Sequence, residues 1–540
     1  MEERSAKRED DGSISTDRIS ELPQPLLYQI LSFLSQKEAI QTCILSRSWR
    51  YIGSTRPKIE FLEDCFNGNT EKFLSALDET LRRYQNLPVQ EFIVWMWVLD
   101  SESVSLLNKW IPILVLNKGL QTFHLCFHSQ QSEYFDLPSV VLHSESLENL
   151  HLERCNLKKN SVDGVVPMRL RTLCLVEVYI STEIFEKILS GCPLIENVSV
   201  SGCWGLRTIK VGKPCNNLKH FEFKDGYELY KEEDPHLSIW IDSPTIRTIR
   251  IMGCRNFYRH RNNCLPHLKS LFLNRVQLSS ESFVFFSSNY LPSLECLTLD
   301  SCYGFKECYL YLSDSVKYLT IKNLKKKTDI KADIHAPKIV EFVYEGEIPN
   351  LTVSFKTYSI YWKSNIILSS YSDFDNDPSS WFSKLGDLLM ALSESETSLK
   401  LVHHRRRNQH NIKDVPLALL SPDVLCEPVV AVEHLVLRGY FSSSSFPALL
   451  NLLFRTCHPK YIGTYLYANA ATEWEREDKE LNECLRDFLL LKKEMKQCFW
   501  LQDLEEVSVV EASDDENIVQ NYHPDKNKKV CFRLRWRELR

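Results

Sequence analysis

The chain has 540 residues, 44% of them apolar and 11% aromatic, a composition that suits a folded protein and not a disordered one. A net charge of −6 leaves no basic field to gather nucleic acid, and no apolar run approaches the ~18 residues that span a bilayer, so neither nucleic acid nor membrane is expected as a partner. Eighteen cysteines would suggest disulfides in a small secreted chain, but residues 1–17 are charged and polar with no signal-peptide core, which points to cytoplasm and/or nucleus and to reduced thiols.

Residues 1–16 read as disordered. A helical module is expected over 17–52. Pro23 ends an extended lead-in, because the residue before a proline is pushed out of the α region. Pro25 fits the first turn of a helix, where its missing N–H costs nothing. Leu26, Leu27, Ile30, Leu31 and Leu34 then follow at helical spacing. A second short helix is expected from Lys37 to Leu45, with Ala39, Ile40, Cys43 and Ile44 inward. Ser46 can cap a third that carries Trp49 and Ile52. Three helices of this size close a poor core alone, so surplus apolar surface should be covered, by the rest of the chain or by a partner.

Residues 55–69 read as a linker, and Glu71 to Tyr84 as an amphipathic helix with Phe73, Leu74, Leu77 and Leu81 on one face. From there a phrase recurs: an apolar residue followed by x-x-apolar-x-apolar. Its first positions are Val89, Leu120, Leu147, Leu170, Ile195, Leu218, Ile246, Leu268, Leu294, Val316 and Ile339, spaced 22 to 31 residues apart, with later matches at Val432 and Leu504. Such a phrase at such a period marks leucine-rich repeats, each one strand and a return segment. No repeat can bury its own apolar face, so neighbours are expected to stack into a solenoid, an architecture suited to binding. Cys155, Cys203, Cys254 and Cys302 fall on the ninth position of the phrase, where a small buried residue packs inside the turn.

Between the fixed apolar positions the strand side chains should point outward. This exposed set includes Glu148, His151, Arg171, Cys174, Asn197, Ser199, Lys219, Glu222, Arg247, Arg250, Lys269, Phe272, Glu295, Thr298, Lys317 and Thr320. Mixed charge with aromatics suits a protein ligand, and Arg247, Arg250, Lys269 and Phe272 are the candidate target contacts. The same charges also serve to keep an exposed sheet from aggregating.

Three patterns imitate chemistry. His124, Cys126 and His128 alternate along one strand, but zinc takes four ligands and no Cys-x-x-Cys pair supplies the others, so no metal is expected. Lys325-Lys326-Lys327 and His403-His404-Arg405-Arg406-Arg407 read as solvated loop tips. His523-Pro524-Asp525 copies the loop of J-domain cochaperones, yet an acidic stretch, Glu511 to Gln520, stands where those proteins carry a basic helix. No phosphate loop and no nucleophile elbow occurs, and neither catalysis nor a cofactor is expected.

After a polar boundary from Tyr371 to Ser380, helices are expected at Trp381–Leu392, around Phe446–Phe454 and from Thr472 to about Gln497. Strands are expected at Val432–Leu437, Leu504–Val510 and Cys531–Arg537. Residues 381–540 thus read as an α+β region able to cover the last apolar face of a solenoid.

Taken together, Asp17-Arg18-Ile19-Ser20, Leu22-Pro23, Leu26-Leu27, Ile30-Leu31-Ser32-Phe33-Leu34, Thr42, Leu45-Ser46-Arg47 and Trp49-Arg50 resemble the F-box of plant F-box/leucine-rich-repeat proteins. Ile188-Leu189-Ser190-Gly191-Cys192-Pro193-Leu194-Ile195-Glu196 is similar to a phrase that recurs in the same family, one with an FBD-like branch. The loop Ser35-Gln36-Lys37 lacks the family's usual proline, Ser48 replaces a basic residue, and Gly53 stands where an aromatic is common. The resemblance covers residues 17 to about 345. It implies an α/β protein with a three-helix F-box over 17–52, a curved repeat solenoid over 70–350 and a C-terminal cap.

It further implies a non-enzymatic substrate receptor of a Skp–cullin–F-box ubiquitin ligase. The Skp adaptor, and through it cullin, would dock on Leu22, Pro23, Leu26, Ile30, Leu31 and Leu34, and the repeats would hold an unidentified protein target. The alternatives are a repeat scaffold whose F-box does not dock, and a coreceptor in which a small molecule completes the target surface.

Overall fold

In the computed structural model the chain divides into two compact units, Met1–Leu206 and Arg207–Arg540. The structure describes residues 22–34, 36–42, 44, 49, 56–97, 99–116, 119–128, 134–157, 168–212, 215–226, 237–254, 256–259, 264–278, 286, 289–304, 307–323, 331–348, 353–370, 378–403, 429–439, 446–465, 473–491, 499–511 and 529–537. The segment 1–16, Asp17 to Ser20, the Ser46 cap, the basic runs at 325–327 and 404–407, and His523-Pro524-Asp525 lie outside these residues.

The first unit opens with helices α1 (Gln24–Ser32) and α2 (Gln36–Thr42). Strand β1 (Lys58–Leu62) follows, where the sequence suggested a linker. Ile59 and Phe61 alternate inward there, a two-residue period too brief to register beside the strong helical signal that follows. Helix α3 (Thr70–Tyr84) buries Phe73, Leu74, Leu77, Leu81 and Tyr84, and the Asn69 side chain caps it by accepting from the Lys72 N–H at 2.9 Å. Strand β2 (Glu91–Met96) leads to helix α4 (Ser101–Leu116). Asp78 of α3 ties the two helices: it accepts from the Trp110 indole at 2.7 Å and pairs with Lys109 at 3.2 Å.

Strands β3 (Thr122–Phe127), β4 (Phe135–Asp136), β5 (Asn149–Glu153), β6 (Cys155–Leu157), β7 (Thr172–Val176) and β8 (Tyr179–Ile180), helix α5 (Thr182–Gly191) and strand β9 (Asn197–Ser201) complete the unit. β1, β2, β3, β5, β7 and β9 form one parallel ladder in strict register. The row Ile59, Phe92, Phe123, Leu150, Leu173 and Val198 is therefore continuous and at most 2% exposed. At ~25 cal/mol per Å² of apolar surface removed from water, such rows dominate the stability of the unit. A second, short ladder joins β4, β6 and β8.

The second unit contains β10 (Thr208–Val211), β11 (His220–Lys224), β12 (Ser238–Ile241), β13 (Thr248–Cys254), β14 (Asn256–Arg259), β15 (Ser270–Val276), β16 (Cys296–Asp300), β17 (Glu307–Tyr311), β18 (Tyr318–Lys322), β19 (Lys331–His335), β20 (Glu341–Gly346), β21 (Val353–Lys356) and β22 (Lys363–Ser370). Then come α6 (Pro378–Ala391), β23 (Glu396–His403), β24 (Val430–Gly439), α7 (Phe446–Thr456), β25 (Cys457–Tyr465), α8 (Glu473–Leu491), β26 (Leu504–Glu511) and β27 (Lys529–Trp536). β11, β13, β15, β16, β18, β20, β22, β23, β24 and β25 form a parallel ladder that runs on past residue 350. Its inner row passes from Phe223 through Ile251, Leu273, Leu299, Ile321, Tyr344, Ile366, Leu399 and Leu435 to Ile462.

β27 then pairs antiparallel with β25, and β26 with β27, so the parallel ladder ends there. Trp500 fastens this end by donating to the Asn451 side chain at 2.8 Å. Trp536 donates to the Pro459 carbonyl, also at 2.8 Å.

The return from seven of the repeat strands uses one recurring device. The eighth position of the phrase takes a left-handed backbone at Arg154, Glu177, Gly202, Gly253, Arg275, Ser301 and Asn323, with φ between 46° and 78°. Most of these are not glycine, and each such L-residue carries a cost of about 1–2 kcal/mol, met by the packing on either side. The turn delivers the ninth position inward. Cys155, Cys254 and Cys302 are at most 3% exposed there. Their thiols and that of Cys203 donate to backbone carbonyls, as from Cys302 to Leu273 at 3.5 Å and from Cys203 to Leu175 at 3.5 Å. The ninth-position cysteines are structural, as the repeat phrase suggested.

Candidate protein-binding surfaces

The N-terminal module sorts its apolar residues into two sets. Leu27, Leu31, Ala39 and Trp49 form a core, with Leu22 and Leu34 half-buried against it. On the adjoining face of α1 and its caps, Pro23 is exposed, Leu26 is 46% exposed, Ile30 36% and Phe33 81%. Those positions recur at the spacing of one helical face, and they leave a contiguous apolar stripe of the kind that marks a contact surface. Of the six adaptor contacts suggested by resemblance, Pro23, Leu26 and Ile30 face solvent and Leu22 and Leu34 sit at the rim. Leu31 is 0% exposed and packs inward, so its side chain touches the module's own core. Ile44, read as inward, is 84% exposed. A wide apolar stripe on a helix does not say which edge its own core will claim.

Arg56, 2% exposed, holds the end of α1. Its guanidinium donates to the carbonyls of Leu31 at 3.2 Å and Leu34 at 3.0 Å, at the helix C-terminus where carbonyls run short of intrahelical donors, and the Leu31 carbonyl also accepts from the Leu34 N–H at 3.2 Å. Burial lowers the Arg56 pKa and the nearby Glu60 opposes that shift, but an arginine stays charged throughout the ordinary pH range. Only Pro57 separates Arg56 from β1, so the module and the first strand are linked by this cation.

Each ladder leaves one sheet face open. In the second unit, register places Arg250 beside Phe272, with the guanidinium 4.7 Å above the ring. Arg250 also reaches Glu222 at 3.6 Å, and Lys269 pairs with Glu295 at 2.9 Å. Arg247, just before β13, is exposed. Of the four candidate target residues, Arg250 and Phe272 are in contact, and two of the three cations are matched by carboxylates. Exposed pairs of this kind contribute about 0–1 kcal/mol each, and the surface is closer to electrically balanced than the sequence suggested.

The open face of the first unit is different. Trp95 and Trp97 are 38% and 48% exposed, and their rings lie 5.2 and 5.4 Å from the His128 ring. A Trp-x-Trp pair at the end of a strand is the sequence signal for this aromatic patch. Beside it His124, Cys126 and His151 gather their donor atoms within 4.8 Å of one another. Burial pushes the His124 imidazole down to about 4, with the neighbouring His151 adding to the shift, and burial lowers His151 as well. Both rings are neutral near pH 7. Burial, then the Glu153 carboxylate, pushes the Cys126 thiol far above its ordinary value, so it is no nucleophile as it stands. Among the described residues, no helix is long and apolar enough to cross a membrane.

Known proteins match both regions. The F-box domain matches residues 19–59, and the leucine-rich repeats of FBD-associated F-box protein At5g56370 match residues 107–239. The F-box/LRR-repeat protein At3g59200 of Arabidopsis thaliana is 31% identical over 198 residues, which cover 34% of this chain and 36% of that one. The F-box/FBD/LRR-repeat protein At3g26920 of the same plant is 30% identical over 194 residues, covering 34% and 42%. The chain spans about half the length of the curated relatives it matches, 62%, 41% and 49% of three others. In its N-terminal module and in its repeats alike, the chain resembles the plant F-box/leucine-rich-repeat proteins with FBD-associated repeats.

Proposed function

We propose that this chain is a non-enzymatic substrate receptor of a Skp–cullin–F-box ubiquitin ligase, acting in cytoplasm and/or nucleus. Residues 17–52 would form a three-helix F-box that docks on a Skp-type adaptor and through it on cullin. The strand-and-return repeats would form a leucine-rich-repeat solenoid, closed by a cap within 381–540, whose open face holds a protein target. The receptor works by effective concentration, keeping a target lysine within reach of a charged ubiquitin carrier, so that placement matters and acid–base chemistry does not.

The observation that carries this reading is the stripe of Pro23, Leu26, Ile30 and Phe33, which is exposed while Leu27 and Leu31 complete a core behind it. A scaffold with a non-docking F-box would have that stripe covered by its own repeats. The test is co-purification of the full chain with a Skp-type adaptor, wild type against a Leu26→Ala, Ile30→Ala double variant. Both residues are on the surface, so the fold survives. Anchor residues of an interface contribute more than about 1 kcal/mol each, so binding should weaken roughly 30- to 100-fold. A folded wild type that binds no adaptor would overturn the reading.

A further inference from the structure

The geometry points to a transition-metal site on the open face of the first unit, formed by His124, Cys126, His151 and Cys174, and suited to Zn²⁺. His124 and Cys126 stand two residues apart on β3 and share a face, with Nε2 and Sγ 3.0 Å apart. His151 is the register partner of His124 on β5, and the two rings stack with centroids 3.9 Å apart. Cys174 is the register partner of His151 on β7, its Sγ 4.0 Å from the His151 Nε2. Among the described residues, the first three are the one group of metal-binding side chains whose donor atoms all lie within 4.8 Å of one another.

The objection from sequence was that one strand offers too few ligands. The parallel ladder removes it. Neighbouring strands lie about 4.8 Å apart, so the same position in consecutive repeats is stacked at a spacing that donors around one ion can close. Zn²⁺ takes nitrogen at ~2.0–2.1 Å and sulfur at ~2.3 Å in a tetrahedron, and donors on one such ion sit roughly 3.3–3.8 Å apart. The distances here straddle that range, and small side-chain rotations suffice. Two imidazoles and two thiols form the borderline-soft set that selects Zn²⁺ over magnesium or calcium.

The surroundings suit an ion. Binding would convert the Cys126 and Cys174 thiols to thiolates and release two protons to water, so the four ligands carry two negative charges against the ion's two positive ones. Glu153 is hydrogen-bonded to the Cys126 thiol and pairs with His128 at 3.4 Å, a carboxylate at the edge of the site. Trp95 packs edge-on against His124 with ring centroids 5.7 Å apart. A bound ion would pin β3, β5 and β7 together beside the Trp95–Trp97 patch.

The test uses the full chain, stripped with a chelator under reducing conditions and titrated with Co²⁺ as the spectroscopic probe. The expected result is one equivalent per chain, with thiolate-to-cobalt charge-transfer absorption and the visible bands of a tetrahedral ion, displaced by one equivalent of Zn²⁺. His124→Ala and Cys126→Ser should each weaken binding at least about 100-fold, since even an outer partner of a metal ligand accounts for 10- to 100-fold. Cys126→His, which keeps a donor, should retain binding but change the charge-transfer band. Cys65→Ser and Cys264→Ser, at exposed thiols elsewhere, should leave the spectrum intact. A folded wild type with no charge-transfer band overturns the proposal whatever the variants do. So does tight binding that persists in a His124→Ala, Cys126→Ser double variant.

Discussion

Replacing Arg56 with methionine keeps the aliphatic stem and removes the cation that holds α1. Two hydrogen bonds disappear, from Nη1 to the carbonyls of Leu31 and Leu34 at 3.2 and 3.0 Å. Bonds from a charged donor contribute about 1.5–3 kcal/mol each, which sets a gross loss of about 3–6 kcal/mol. Against this stands the cost of keeping a guanidinium at 2% exposure, several kcal/mol for a buried ion. Its Nε and Nη2 find no hydrogen-bond partner among the described residues, and Glu60 compensates weakly from 3.9 Å.

The lost bonds win nonetheless, because methionine takes the charged donor from both carbonyls and leaves the Leu31 carbonyl only the Leu34 N–H at 3.2 Å. We expect a net loss of about 2–3 kcal/mol, confined to the module, which is roughly a 30- to 150-fold rise in its opening constant. Hydrogen exchange read by mass spectrometry resolves it. Amides of Leu26 to Leu34 should exchange faster by that factor while those of β3 and β5 are unchanged. Arg56→Lys should fall between, since an ammonium keeps the charge and loses the fork. Protection of α1 within threefold of wild type in Arg56→Met would refute the argument.

The remaining expectations concern thiols and pH. Brief alkylation of the native chain should label the exposed Cys65 and Cys264, while Cys203 and Cys302, whose burial pushes them up to about 12, react only after denaturation. Peptide mass spectrometry decides, and native labelling of Cys302 ahead of Cys65 would contradict the packing of the ninth position. His458 is 6% exposed and lies flat against Trp536, with ring centroids 3.9 Å apart. Burial lowers its pKa below the usual 6.5, and Asp503 only partly opposes this. The unfolded chain therefore takes up a proton that the folded one refuses, and the stability contribution is lost as pH falls below about 6.5. Urea midpoints at pH 7.5 and 5.5 should differ more in wild type than in His458→Phe, and equal slopes would remove His458 from the account.

The sequence by itself determined the period, the strands that carry the repeat phrase and the place of the small ninth residue. Those follow from local rules: alternation along a strand, and the apolar positions that must recur if neighbours stack. Phe92, Phe123, Leu150 and Leu173 could be placed on the buried face from that alternation. The segment at 58–62 was not legible because five residues with two apolar positions carry almost no periodic signal. Their strand exists because β2 offers an edge to pair with.

Tertiary structure alone decided which side of α1 the module would keep for itself, and so turned Leu31 inward and left Ile30 outside. It also decided which polar residues of separate repeats share a row. His124, His151 and Cys174 are 27 and 23 residues apart in the chain, each at the fifth position of its phrase (those from Leu120, Leu147 and Leu170), but a shared position is not yet contact. Only the hydrogen-bonded register between strands, which fixes neighbours across the ladder whatever the length of chain between them, brings the three side by side.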